Sequence, residues 1–161
     1  MEYSIQQSSE TAALDACATM MSQSEPWITL QRDIEGCRQA MRGDYKEVYL
    51  AKKPDGELLG FIVLQMAGVF KGYIQSICIS PRARGLGLGT ALVHFAERRI
   101  FTESPNVFML VSSFNVRAAS LYARLGFEKI GVLKNFVADG FDEFLLRKTI
   151  GPLSSFQKKE S

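Results

Sequence analysis

Histidine and tryptophan occur once each in these 161 residues, at His94 and Trp27, and cysteine only three times, at Cys17, Cys37 and Cys78. No two cysteines stand at CxxC spacing and no second histidine is present, so neither a zinc site nor a redox pair is expected. The thiols read as free groups in a reducing compartment. Charge of one sign is equally scarce. The 19 basic and 17 acidic residues leave a net +2, and no basic run exceeds Arg98-Arg99 or Lys158-Lys159. Broad electrostatic attraction to nucleic acid is thereby excluded. No apolar run approaches the length of a membrane span, and Met1–Ile5 lacks a basic segment followed by an apolar one. Hence no membrane partner is expected, and the expected location is cytoplasmic.

What is present is ordinary for a folded chain: 47% hydrophobic and 22% charged residues, far from the composition of disorder. A chain of this length can bury about two thirds of its unfolded surface without staples. One domain is expected over 1–150, with a polar, fraying tail over 151–161.

Ile5 marks a short opening strand, and Ser8, Ser9 and Glu10 supply a cap and an acidic first turn for a helix. Ala13, Leu14, Cys17, Met20 and Met21 follow the helical period as its buried face. Leu30, Ile34, Cys37 and Met41 repeat that spacing in a second helix. Between the two lies the breaker Ser24-Glu25-Pro26-Trp27, the first place to look for substrate contacts. Short β-type runs then follow at Glu47–Ala51, Leu58–Met66 and Tyr73–Ile79, an antiparallel meander with a hairpin at Pro54-Asp55-Gly56. Leu88, Ala91, Leu92, Phe95 and Ala96 form one helical face, with Thr90, His94 and Glu97 opposite. Val107–Ser112 reads as a buried strand, Asn115–Leu125 as a helix, and Glu128–Leu133 and Phe141–Lys148 as closing strands joined by a hairpin turn at Asp139-Gly140-Phe141. This order predicts an α/β (α+β) single domain, a mixed sheet with helices on both faces.

The chemistry concentrates in Ile77-Cys78-Ile79-Ser80-Pro81-Arg82-Ala83-Arg84-Gly85-Leu86-Gly87-Leu88-Gly89-Thr90, a strand that runs through glycines into a helix. Such a turn aims backbone N–H groups and a helix dipole at one point, which suits an anion such as phosphate. A P-loop would need Gly-Lys-Ser/Thr, but Gly89 is followed by Thr90 and Ala91. A dinucleotide fingerprint, GxGxxG, would end on Thr90 counted from Gly85, or on Leu92 counted from Gly87. A glycine-rich turn without a ligand remains the structural alternative for this segment alone.

Arg-x-x-Gly-x-Gly, at Arg84, Gly87 and Gly89, resembles the acetyl-CoA pyrophosphate loop of the GNAT N-acetyltransferase superfamily. A second segment, Asn115, Ala118, Leu121-Tyr122 and Leu125-Gly126-Phe127, resembles that family's Asn-x-x-Ala-x-x-Leu-Tyr-x-x-x-Gly-Phe pattern, in the right order. The resemblance is strong from about Tyr73 to Phe127 and holds before that only in element order. It implies a mostly antiparallel central sheet, acetyl-CoA as co-substrate, and direct attack of a primary amine, small or peptidic, on the thioester. It implies further that Ile77, Cys78 and Ile79 form the strand along the thioester arm, with backbone contacts from Ile77 and Ile79. Arg84, Gly85, Leu86, Gly87, Leu88, Gly89 and Thr90 would hold the pyrophosphate. Asn115 would contact the cofactor arm, Tyr122 would act as cofactor contact and general acid, and an N–H near Ile79 would stabilise the oxyanion. Homodimerisation stays open.

The base is the departure from pattern. Relatives that acetylate protein N-termini carry a glutamate where this chain has Leu110. Glu47, or Tyr73 and Gln75 through an ordered water, could substitute, and none is assigned. His94 lies on a polar helix face and reads as a surface residue, and Cys78 as a small buried apolar group. Glu25, Trp27, Arg32 and Phe70 are expected to border the acceptor side. A CoA-binding regulatory module without turnover is the alternative reading, kept open by Leu110 and disfavoured by the intact Tyr122.

Overall fold

The computed structural model describes residues 1–159. Seven strands form one sheet in the order β1-β2-β3-β4-β5-β7-β6. They are β1 (Ser4–Gln7), β2 (Lys46–Lys52), β3 (Leu58–Gln65), β4 (Tyr73–Ile79), β5 (Asn106–Ser112), β6 (Glu128–Leu133) and β7 (Glu143–Thr149). Every neighbouring pair is antiparallel except β4 and β5. The helices are α1 (Thr11–Ser22), α2 (Ile34–Ala40), α3 (Leu88–Ile100) and α4 (Val116–Arg124). None of them is long and apolar enough to cross a membrane.

β3 shows why the sheet is covered on both faces. Its run Phe61-Ile62-Val63-Leu64 is fully buried. Because successive strand side chains point to opposite faces, Ile62 and Leu64 enter one core with Leu92, Val93 and Ala96 of α3, while Phe61 and Val63 enter a second with Cys17 and Met21 of α1 and Cys37 of α2. A strand buried on both sides reads as a continuous apolar run rather than an alternating one. All three cysteines are free and buried.

The differences from expectation have local causes. Helix α1 is capped by Glu10 without a side-chain bond and has no acidic residue in its first turn; the Ser8 hydroxyl instead accepts from the Glu10 N–H at 3.3 Å. Leu30 belongs to a chain of turns and not to α2. Gln31 takes a positive φ of 54°, which breaks helical continuation, and Asp33 starts α2 afresh by accepting from the Gly36 N–H at 2.7 Å. On α3, Glu97 is 8% exposed and accepts from the Lys148 ammonium at 2.7 Å. It therefore ties the helix to β7 and is not on a solvated face. The segment Asp139-Gly140-Phe141 lies within a longer loop over 134–142, in which the Gly140 N–H donates to the Asn135 side chain at 2.9 Å. Past β7 the chain makes a 3-10 turn at Leu153–Ser155, and the Lys159 N–H donates to the Thr102 carbonyl at 3.0 Å. The last two positions of the expected tail, 160 and 161, lie outside the described residues.

Candidate active site

β4 and β5 are joined by only two residue pairs, Tyr73↔Phe108 and Ile74↔Met109, although β4 runs on to Ile79 and β5 to Ser112. The pairing of β3 with β4 slips between Val63↔Ser76 and Leu64↔Ile74, leaving Gln75 as an extra residue. Such a bulge bends its strand, and the sheet parts beyond it. The wedge between the two strands is a cleft of about 720 Å³, within the usual range for ligand sites.

On the α3/α4 side the cleft is built from backbone. Gly85 and Gly87 have φ of 76° and 81°, and a methyl group built on either would meet no atom within 4 Å. Gly87 caps α3 in the left-handed conformation, with no side-chain cap and no acidic residue in the first turn. The first intrahelical bond runs from the Ala91 N–H to the Gly87 carbonyl at 3.0 Å, so the N–H groups of Leu88, Gly89 and Thr90 precede the helical ladder and lack intrahelical acceptors. Arg84, Arg117 and Arg124 line the same cleft. An uncapped helix start in a cleft that three arginines also line favours an anion. The Arg84 Nε also donates to the Ile79 carbonyl at 3.2 Å, pinning the turn to the end of β4.

Of the residues singled out for the cofactor, Ile77, Cys78, Ile79, Arg84, Gly85, Gly87, Leu88, Gly89, Thr90, Asn115 and Tyr122 all line this cleft. Leu86 does not; it is 60% exposed. Cys78 packs its side chain away from this side, into the α1/α2 core, while Ile77 and Ile79 pack against the other. The Asn115 side chain accepts from the Ala118 N–H at 3.4 Å as the cap of α4, so it caps the helix and borders the cleft at once. Leu121 lines the cleft and not the core. Burial alone pushes the Tyr122 phenol up to about 12, so it keeps its proton at every physiological pH. Its ring packs edge-on to Phe127.

From the connection between α1 and α2, Glu25, Trp27 and Arg32 also line the cleft. Phe70 does not: it stacks edge-on with Phe108, 4.8 Å between ring centres. Phe136 and Val137 of the 134–142 loop reach the cleft instead. Glu47 is unsuited to be a base. Its carboxylate accepts two bonds from Arg99 and one from the Tyr49 hydroxyl at 2.6 Å, and it is absent from the cleft wall. Gln75 is held by donating to the Ala40 carbonyl at 3.1 Å. His94 lies outside the cleft, half exposed, with Nδ1 3.2 Å from Glu97.

Reasoning from sequence missed Glu143. It pairs with Ser112 across β5 and β7, is 4% exposed, and lines the cleft. The Ser112 hydroxyl donates to its carboxylate at 2.7 Å. Alternation fixes its direction: Phe144 and Leu146 pack toward the α3/α4 core, so Glu143 points to the other face. Burial pushes this carboxyl above its ordinary value, with the Ser112 hydrogen bond opposing. Tyr73, also in the wall, is pushed up to about 12 by burial first and by the Glu143 charge second. The one signal in the sequence was a carboxylate heading the apolar run Phe144-Leu145-Leu146.

Residues 12–127 match the family model described as the acetyltransferase (GNAT) family. Among curated proteins, the chain is 32% identical over 117 residues to an N-alpha-acetyltransferase of Sulfurisphaera tokodaii, covering 64% of this chain and 70% of that one. It is 37% identical over 78 residues to a mycothiol acetyltransferase of a Mycobacterium species, covering 45% of this chain and 26% of the other. Among solved structures, the ribosomal-protein-S18-alanine N-acetyltransferase of Escherichia coli superposes with a TM-score of 0.73 at 16% identity, over 97% of this chain and 99% of that one. The spermidine N-acetyltransferase of Vibrio cholerae gives 0.69 at 16% identity, over 91% and 93%. At such identity these two likenesses concern the fold.

Proposed function

The chain belongs to the acetyltransferase (GNAT) family and is an acyl-CoA-dependent N-acetyltransferase; from that premise we propose that it moves acetyl from acetyl-CoA to a primary amine of a small molecule or peptide by direct attack. The observation that carries this is the cleft itself, which passes between β4 and β5 from an uncapped, arginine-lined helix start on one face to a buried carboxylate on the other. A polyanionic donor suits the first opening and a protonated amine the second.

The residues fit the donor. Gly85 and Gly87 leave open the space that a Cβ would fill, and the N–H groups of Leu88, Gly89 and Thr90 are free to bind the pyrophosphate. Gly89 adds a second argument. A methyl group there would sit 3.6 Å from Leu121, in ordinary contact, so the fold does not itself demand a glycine inside α3, where glycine costs about 1 kcal/mol relative to alanine. Close approach of a ligand accounts for it. Bent by the bulge, β4 turns the Ile77–Ile79 backbone toward the cleft, and an N–H near Ile79 serves as donor to the thioester oxygen as charge develops there. Tyr122, protonated and in the wall, serves the departing sulfur. The relatives named N-alpha-acetyltransferase favour an α-amino group as acceptor, which at a pKa near 8 sheds its proton more easily than a lysine-type amine near 10.4. Buried free thiols at Cys17, Cys37 and Cys78 agree with a cytoplasmic location.

The test is release of CoA thiol from acetyl-CoA across a panel of amines and amino-terminal peptides, beside calorimetry with CoA. Saturable, amine-dependent thiol release is expected. No heat of association with CoA or acetyl-CoA would overturn the proposal.

A further inference from the structure

Resting on that function, we propose that the Glu143 carboxylate is the proton acceptor that converts the bound acceptor's ammonium into the attacking amine. Leu110 and Ser112 share one face of β5, and neither side chain is a carboxylate. Glu143 stands directly across from Ser112 on β7, so it delivers a carboxylate to that same face from the neighbouring strand.

Four observations meet on this residue. First, it lines the cleft on the side opposite the Gly87 turn, where the acceptor must enter if the donor fills the α3/α4 side. Second, it is buried with a hydrogen bond from Ser112, and among the described residues no cation pairs with it; burial and that bond are the two influences on it. An ionised carboxylate in such a place is expensive unless a cation comes to it, and an ammonium ion is such a cation. Third, the Ser112 bond engages one carboxylate oxygen, and among the described residues the other has no hydrogen-bond partner and can accept from an N–H. Fourth, desolvation raises its basicity toward the working pH, as a general base requires. The titratable groups around it are Tyr73 on β4, which responds to both Glu143 and Arg32, and Glu25 and Arg32 from the α1–α2 connection; its β6 neighbour is the apolar Leu133. Tyr73 stays neutral, so Glu143 is the buried carboxylate that can take a proton on this face.

The step balances. One N–H proton of the ammonium passes to Glu143, and the nitrogen lone pair attacks the thioester carbonyl. The C–N bond forms, the C–S bond breaks, and sulfur leaves as a thiolate that accepts a hydrogen bond from the Tyr122 O–H, which keeps its proton. The second proton lost from nitrogen passes out through the cleft, and Glu143 returns its own to solvent.

The experiment is the pH profile of kcat/KM for Glu143→Gln, using the fastest acceptors of two basicities from the amine panel. Without the base, only acceptor already neutral in solution reacts. At pH 7 the loss is therefore about tenfold for an α-amino group of pKa near 8 and up to about 10³-fold for a lysine-type amine near 10.4. The deficit shrinks about tenfold per pH unit as pH rises toward the amine's own value, whereas the wild type levels off earlier. Glu143→Asp, which withdraws the carboxylate by one methylene, is expected to fall between the two and to keep the wild-type acid limb. A purely structural role for the Glu143–Ser112 bond would lower both acceptors equally at every pH. That result, or activity within about threefold of wild type with an unchanged profile, overturns the assignment. Calorimetry separates this from the function it rests on: both variants should bind CoA as the wild type does, and failure of the wild type to bind CoA would refute the function.

Discussion

Replacing Tyr122 with phenylalanine removes one oxygen and leaves the ring edge-on to Phe127, 6.2 Å between centres. No charged or hydrogen-bonding neighbour contributes to the state of this phenol, so the change strands no protein partner and should alter stability by less than about 1 kcal/mol. Its catalytic effect follows from the acidities. With the phenol near 12 and a thiol near 8.5, full proton transfer to the departing sulfur is uphill by about 3.5 pH units, or about 5 kcal/mol. The same dry cleft raises the nascent thiol too, which narrows the gap without closing it. Tyr122 therefore acts mainly by hydrogen-bonding the developing thiolate, a bond to a charged group worth about 1.5–3 kcal/mol. That corresponds to a fall in kcat of about 10- to 100-fold. Thiol release at saturating donor measures it, and CoA calorimetry should show an unchanged Kd. Because the phenol holds its proton up to about 12, the wild-type profile should show no basic limb from Tyr122 below pH 10. A Tyr122→Phe rate within twofold of wild type, or a parallel loss of CoA affinity, would refute this reasoning.

Gly87→Asn separates ligand space from backbone strain. Asparagine tolerates the left-handed conformation, while its side chain points into the open turn, so folding should persist and CoA affinity fall by about tenfold or more by calorimetry. Glu143→Gln should not lower the thermal midpoint at neutral pH. Its folded pKa is raised, so its protonated form is favoured by folding, and that contribution is full below the ordinary carboxylate value and lost as pH rises through the folded one. The variant's relative stability should accordingly improve from pH 4 to pH 8 in thermal melts. Glu47→Gln should keep kcat/KM within about twofold, since Glu47 lies outside the cleft, yet lose about 1–3 kcal/mol in denaturant titration by loosening its bond to Arg99; a large loss of activity in a stable variant would put it back among the bases.

Local physics made much of this legible in the amino-acid order. The β4 and β6 limits and the glycine turn that leads into α3 are short-range matters of period and turn chemistry, and the chain carries them within a few residues. Two motifs in the right order sufficed for the family. The acceptor side was legible only in part: Glu25, Trp27 and Arg32 do line the cleft, whereas its buried carboxylate and the fate of Glu47 and Phe70 are decided by contacts between distant segments. Glu143 meets Ser112 across 31 positions, Glu47 is consumed by Arg99 across 52, and Phe70 is drawn to Phe108. Each of those side chains looked equally free as a letter. A single bulge at Gln75 parts β4 from β5, and one residue of strand phase decides which face a side chain meets. Periodicity tells which residues share a face of one strand; only the pairing of strands tells what that face confronts.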